Sequence, residues 1–112
     1  MNSTVIIHLS KLDRNLDAVD RRLKPGIQRM AVVKDNAYGH GIIPVANHIK
    51  ERVEWFCVAR VTEGKALRDS GIKNPILVFE APREETAQIY KKYSLTATLT
   101  EIDSLNVLEE GT

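Results

Sequence analysis

The sequence predicts an α/β fold of parallel β/α repeats, and three observations carry that reading. Short apolar or β-branched runs at Val5–Leu9, Met30–Val33, Trp55–Val61, Ile76–Phe79 and Leu95–Leu99 alternate with longer segments whose apolar residues recur at spacings of three and four. The runs are mostly apolar at successive positions, as in strands covered on both faces. The intervening segments are long and helical in pattern, which supplies the crossover that a parallel neighbour requires. Four consecutive units from Met30 onward fit either half of a (β/α)8 TIM-type barrel or one side of a doubly wound sheet, and periodicity alone does not choose between them.

Taken in order, the first run, Val5–Leu9, leads into a helix that Ser10 is expected to cap, with Asp13 three positions on as in a capping box. Leu12, Leu16, Val19 and Leu23 form its apolar stripe, and Lys24-Pro25-Gly26 ends it, because proline lacks the next amide and glycine accepts a reversed backbone. After the Met30 strand, Ile42–Val53 reads as a second helix, with Pro44 in its first turn and Val45, Ala46, Ile49 and Val53 on one face. Thr62 is the expected cap of a third helix that Gly71 closes. A fourth starts at Pro82, with Glu84 and Glu85 in its first turn and Lys91 and Lys92 in its last, the charge order that favours the helix dipole. Thr100 and Asp103 are expected to open a fifth.

Composition narrows the function classes. Of 112 residues 43% are hydrophobic and 28% charged, the profile of a globular domain, and a formal net charge of +1 provides no field to gather nucleic acid or an anionic membrane. Apolar stretches such as Met30–Val33 fall far short of the roughly 20 residues of a membrane span. Residues 1–4 lack the basic and apolar regions of a secretory signal, so a cytoplasmic address is expected. Cys57 is the only cysteine. It cannot form an internal disulfide, no Cys/His pair has metal-ligand spacing, and the expected place for its thiol is the core. Trp55 is expected to fill core between sheet and helices.

The chemistry concentrates in Ala31-Val32-Val33-Lys34-Asp35-Asn36-Ala37-Tyr38-Gly39-His40-Gly41, an apolar strand that delivers a lysine into a polar, glycine-punctuated loop. In α/β folds the C-terminal ends of the strands are where sites form. A lysine amine that is desolvated or set near another cation becomes neutral enough to form a Schiff base with an aldehyde. By itself a lysine at a strand end is more often a solvated residue. The loop adds Gly39 and Gly41, which permit positive φ and close backbone approach, and the Tyr38 hydroxyl, which can donate to a phosphate; a plain tight turn explains the same residues.

The joint pattern Val-Val-Lys-x-Asn-Ala-Tyr-Gly-His-Gly resembles the signature around the cofactor lysine of alanine racemases. The likeness continues more weakly through Val5–Leu16, Val58–Glu63, Ala66–Ile72 and Pro75–Val78, and so spans nearly the whole chain. Asp35 departs from the pattern, since the family more often has a small residue there. The resemblance implies the barrel: residues 1–112 as the N-terminal portion of a pyridoxal 5'-phosphate-binding barrel domain. Residues 1–9 would then be a first strand associated with a β-rich C-terminal domain that these residues do not include. It also implies that Lys34 binds the cofactor and serves as a catalytic base, and that Tyr38 holds the cofactor phosphate. The substrate would be alanine, whose D-form supplies peptidoglycan.

Racemisation needs a base on each face of the substrate carbon. In the family the second base is a tyrosine from the C-terminal domain, contributed across a homodimer interface. Tyr90 and Tyr93 fall on a helix and at its end and are not expected to serve. His8 and His48 read as structural or solvated, and His40 as a residue that shapes the loop. Two other readings stay open: a racemase of another small amino acid, and a non-catalytic barrel protein that binds the same cofactor. The chain by itself is expected to be inactive and, with two unpaired strand edges, to self-associate.

Overall fold

The computed structural model describes residues 9–34 and 41–99, which form one parallel sheet with a helix layer. The chain runs α1 (Leu9–Asp20), β1 (Met30–Val32), α2 (Ile42–Ile49), β2 (Trp55–Val58), α3 (Val61–Asp69), β3 (Ile76–Val78), α4 (Glu84–Lys92) and β4 (Thr96–Ala97). The strands lie in the order β1-β2-β3-β4, all parallel. Each helix packs against the next, α1 on α2, α2 on α3 and α3 on α4, so the helices share one face of the sheet. Sequential order without a reversal and helices on a single side are the geometry of a barrel wall, not of a doubly wound sheet.

Register shows which side is which. Ala31, Phe56 and Ile76 stand level with one another, as do Val58, Val78 and Ala97. Phe56, Val58, Ile76 and Val78 are completely buried and join Val45, Ala46, Ile49, Val61, Leu67 and Tyr90 from the helices in one core. Residues in alternate positions face the other way. Of these Met30 and Val32 are 44% and 43% exposed, whereas Cys57, on a central strand, is buried.

Several boundaries differ from those the sequence suggests, each for a local reason. Leu9 opens α1 instead of closing a strand, because it extends the Leu12/Leu16 spacing backward; residues 1–8 lie outside the described residues. Ser10 is therefore inside the helix, not its cap. α1 ends at Asp20, and Val19 is 47% exposed instead of buried, since α1 sits at the margin of the helix layer and touches chiefly α2. Gly26, with φ 89°, turns the chain toward β1. α2 stops at Ile49 because the Asn74 side-chain amide donates to the carbonyls of Lys50 (2.8 Å) and Val53 (2.9 Å). Val53 remains in the core.

β2 ends at Val58 and α3 starts one residue before the expected Thr62 cap. The Glu63 carboxylate accepts from the amides of Ala59 (2.9 Å) and Arg60 (3.0 Å), drawing both out of the ladder and placing Arg60 at the N-cap. In α4 the Thr86 hydroxyl accepts from the Arg83 amide in the same way, and the acidic and basic ends fall where expected. Gly64 lets α3 approach the buried Leu95 side chain, which an added Cβ would meet at 3.0 Å. Trp55 is only partly buried, with its indole nitrogen donating to Gln28 at 3.2 Å, because it starts its strand at the open end of the sheet. The helix expected from Thr100 lies outside the described residues. No helix among them is long and apolar enough to cross a membrane.

Candidate active site

Lys34 stands just past the C-terminal end of β1, after the buried Val33, whose amide donates to the Cys57 carbonyl at 2.8 Å. That bond carries the ladder one residue beyond β1 and holds the backbone from which Lys34 projects. The Lys34 amine lies 5.9 Å from the centroid of the Phe79 ring, a cation–π distance. Phe79 follows β3, its amide donates to the Val58 carbonyl at 2.9 Å, and the residue is 47% exposed. The amine of β1 thus reaches across β2 toward a ring held by β3, over the end of the sheet. The Cys57 thiol lies beneath: burial pushes its pKa up and the Lys34 cation pulls it partly back.

At the far side of the loop Gly41 has φ 85°, a conformation that favours glycine, and it is the N-cap of α2. The expected phosphate ligand Tyr38, together with Asp35, Asn36, Ala37, Gly39 and His40, lies outside the described residues, as does His8. The structure therefore joins Lys34 to Phe79 and Cys57. Of the loop glycines it describes Gly41. Phe79 was visible in the sequence only as the last residue of an apolar run, because it meets Lys34 through sheet register and no local spacing marks it.

The other titratable groups near the strand ends are occupied structurally. The Glu80 carboxylate accepts from the Val61 amide (3.2 Å) and pairs with Arg83 (3.0 Å), holding the N-terminal ends of α3 and α4. Tyr90 is 3% exposed and its hydroxyl donates to the Glu80 carbonyl, while burial, with the nearby Glu80 charge, pushes its pKa up to about 12. Tyr93 ends α4 at the opposite end of the sheet, between Lys65 and Lys92. His48 pairs with Asp13 at 2.9 Å on the outside of the helix layer. Among the described residues no group of three or more His, Cys, Asp or Glu side chains is placed to hold a metal ion.

A primary amine on the helix-free face, beside an exposed aromatic ring, suits condensation with an aromatic aldehyde. The residues described fit the lysine side of such a cofactor site.

Fold and site together define a lysine-bearing segment of a parallel β/α barrel. The model of the alanine racemase N-terminal domain matches residues 7–112, and the chain belongs to that family. An alanine racemase of Streptococcus pneumoniae (strain Taiwan19F-14) is 35% identical over 104 residues, which cover 93% of this chain and 28% of that protein. Among solved structures, alanine racemase of Clostridium difficile 630 superposes with a TM-score of 0.86 at 34% identity, covering 91% of this chain and 28% of its own. The same racemase has been solved in complex with cycloserine. Alanine racemase from E. faecalis gives a TM-score of 0.87 at 29% identity, covering 94% and 29%. The chain thus spans under a third of the length of these relatives.

Proposed function

We propose that this chain provides the lysine half of the active site of a pyridoxal 5'-phosphate-dependent alanine racemase, which interconverts L- and D-alanine in the cytoplasm and supplies D-alanine for peptidoglycan. The observation that carries this is the Lys34 amine at the C-terminal end of β1, poised over Phe79 in a fold whose relatives are alanine racemases. The bound cofactor would supply an electron sink that acidifies the substrate's α-hydrogen. Lys34 Nζ would anchor the cofactor and then move a proton at that carbon on one face of the substrate. Phe79 would shield the amine from bulk water, and Tyr38 would hold the phosphate. The opposing base would come from beyond these residues, across a homodimer, so the chain alone would not racemise.

The test is an absorbance spectrum of the chain with added pyridoxal phosphate, before and after borohydride, beside Lys34→Ala. The expected result is a visible imine band and stable label, located on Lys34 by peptide mass, with both lost in the variant. Equal labelling of wild type and Lys34→Ala would remove Lys34 from this role.

A further inference from the structure

We propose that Ala59 is a positioning residue for Lys34: its single methyl keeps open the gap across the end of β2 through which the lysine side chain passes to reach the Phe79 ring. What this does for imine formation rests on the cofactor reading of Lys34; the positioning itself does not.

Val32 pairs with Cys57, and Cys57 with Leu77. Two residues further along the three strands come Lys34, Ala59 and Phe79, on the same face by alternation. The residues just before them, Val33, Val58 and Val78, all lie in the core with the helices, which turns these three the other way. Bonds from the Val33 amide to the Cys57 carbonyl and from the Phe79 amide to the Val58 carbonyl keep the ends of β1, β2 and β3 level. Neighbouring strands lie about 4.8 Å apart, so Lys34 and Phe79 start about 10 Å from each other with β2 between them. The amine nonetheless comes within 5.9 Å of the ring centroid, so the two side chains meet over β2. The Cys57 thiol, one row below Ala59, also feels the Lys34 cation, which offsets part of the effect of its burial. Both observations put the lysine over the end of β2, where Ala59 stands.

Glycine or alanine leaves that path clear, whereas every larger side chain puts atoms beyond Cβ into it. The backbone is held against withdrawing to make room. The Ala59 amide donates to the Glu63 carboxylate at 2.9 Å, and Cys57 and Val58 before it are completely buried. A leucine at this position therefore pushes the Lys34 amine away from Phe79 and displaces the point at which an aldehyde is captured.

The test methylates the lysines with carbon-13 formaldehyde and borohydride and assigns the Lys34 signal by its loss in Lys34→Arg. In wild type that signal is expected to carry a ring-current shift from Phe79, lost in Phe79→Leu and in Ala59→Leu and kept in the conservative Ala59→Gly. The Lys65 and Lys92 signals, from amines 5.6 and 5.5 Å from the Tyr93 ring, report the fold of each variant. Ala59→Val, a smaller intrusion of the same kind, is read in parallel, so that a misfolded leucine variant does not decide the result. On unmethylated chains, labelling of Lys34 by pyridoxal phosphate and borohydride is expected to slow at least about tenfold in Ala59→Leu and to persist in Ala59→Gly. A Lys34 shift that survives both larger side chains, or that wild type lacks, overturns the proposal. A shift that depends on Ala59 in a wild-type chain that takes no pyridoxyl label supports the positioning and overturns the cofactor reading instead.

Discussion

At Tyr90 one phenol links two helices. It belongs to α4, is buried beneath the sheet's helix layer, and donates to the carbonyl of Glu80, whose carboxylate holds the first amide of α3. Burial keeps the phenol neutral up to about pH 12 in the folded chain, whereas an unfolded tyrosine ionises near its ordinary value of 10.0. The folded pKa is the higher one, so the contribution is complete below pH 10 and is lost as pH rises toward 12. Tyr90→Phe is expected to lower stability by about 1 kcal/mol at neutral pH and to lose less further stability than wild type between pH 10 and 12. Urea titrations at pH 8 and pH 11 measure both. A wild-type chain as steeply sensitive as the variant would contradict the assignment. At this scale the contiguous motif around Lys34 marks it as a candidate in the sequence, but the sequence conceals the Tyr90 and Phe79 contacts, which depend on elements brought together by folding.

Among the elements, α1 is the one fastened mainly by charge. Leu12 and Leu16 reach the core from it, while Asp17 and Asp20 pair with Arg52 at 2.7 and 3.0 Å and Asp20 pairs with Arg29 at 2.7 Å. Arg29 also receives Glu54, which accepts from its backbone amide at 2.7 Å. The Arg29 and Arg52 side chains hold the Asp20 carboxyl below its usual pKa, and the Arg29 backbone amide, then its side chain, does the same for Glu54. Depressed carboxylates stabilise the fold above the ordinary carboxylate pKa and cease to do so as pH falls through their lowered values. Protection against amide exchange in α1, taken relative to the intrinsic rate at each pH, is therefore expected to fall ahead of the sheet's as pH drops from 5 to 2, and Arg29→Met is expected to flatten that response. Added salt should weaken the difference, because the pairs are open to solvent; an acid response unchanged in Arg29→Met would exclude this cause. Helix existence and order were legible from spacing, yet the ends of α1, α2 and α3 were not. Exposure of Val19, carbonyl capture by Asn74 and amide capture by Glu63 are all settled by neighbours distant in sequence or by competing side chains.

Over the whole molecule, the two ends of the sheet have different occupations. Where helices return to strands, Arg68 donates to the carbonyls of Ile72, Asn74, Tyr93 and Ser94 at 2.7 to 3.1 Å, and Asn74 in turn donates to those of Lys50 and Val53. This clasp joins the approaches to β2, β3 and β4. Arg68→Met, which keeps the stem and removes the donors, is expected to cost about 3 kcal/mol, read as a lower urea midpoint with an unchanged slope, and to leave Lys34-dependent labelling of the still-folded chain intact. Loss of labelling without loss of stability would mean that the two ends are coupled. The parallel β/α plan was readable from alternating runs, and where periodicity left the barrel and the doubly wound sheet open the motif resemblance implied the barrel, with which the strand order and the single-sided helix layer agree.

Because every strand points the same way, the clasp and the lysine are separated by the length of the sheet. Changes that lengthen or diversify the loops at the Lys34 end act away from this clasp, so that end is free to vary without loosening it. A collection of variants randomised in those loops should retain a larger folded fraction than one randomised with equal severity around Arg68 and Asn74.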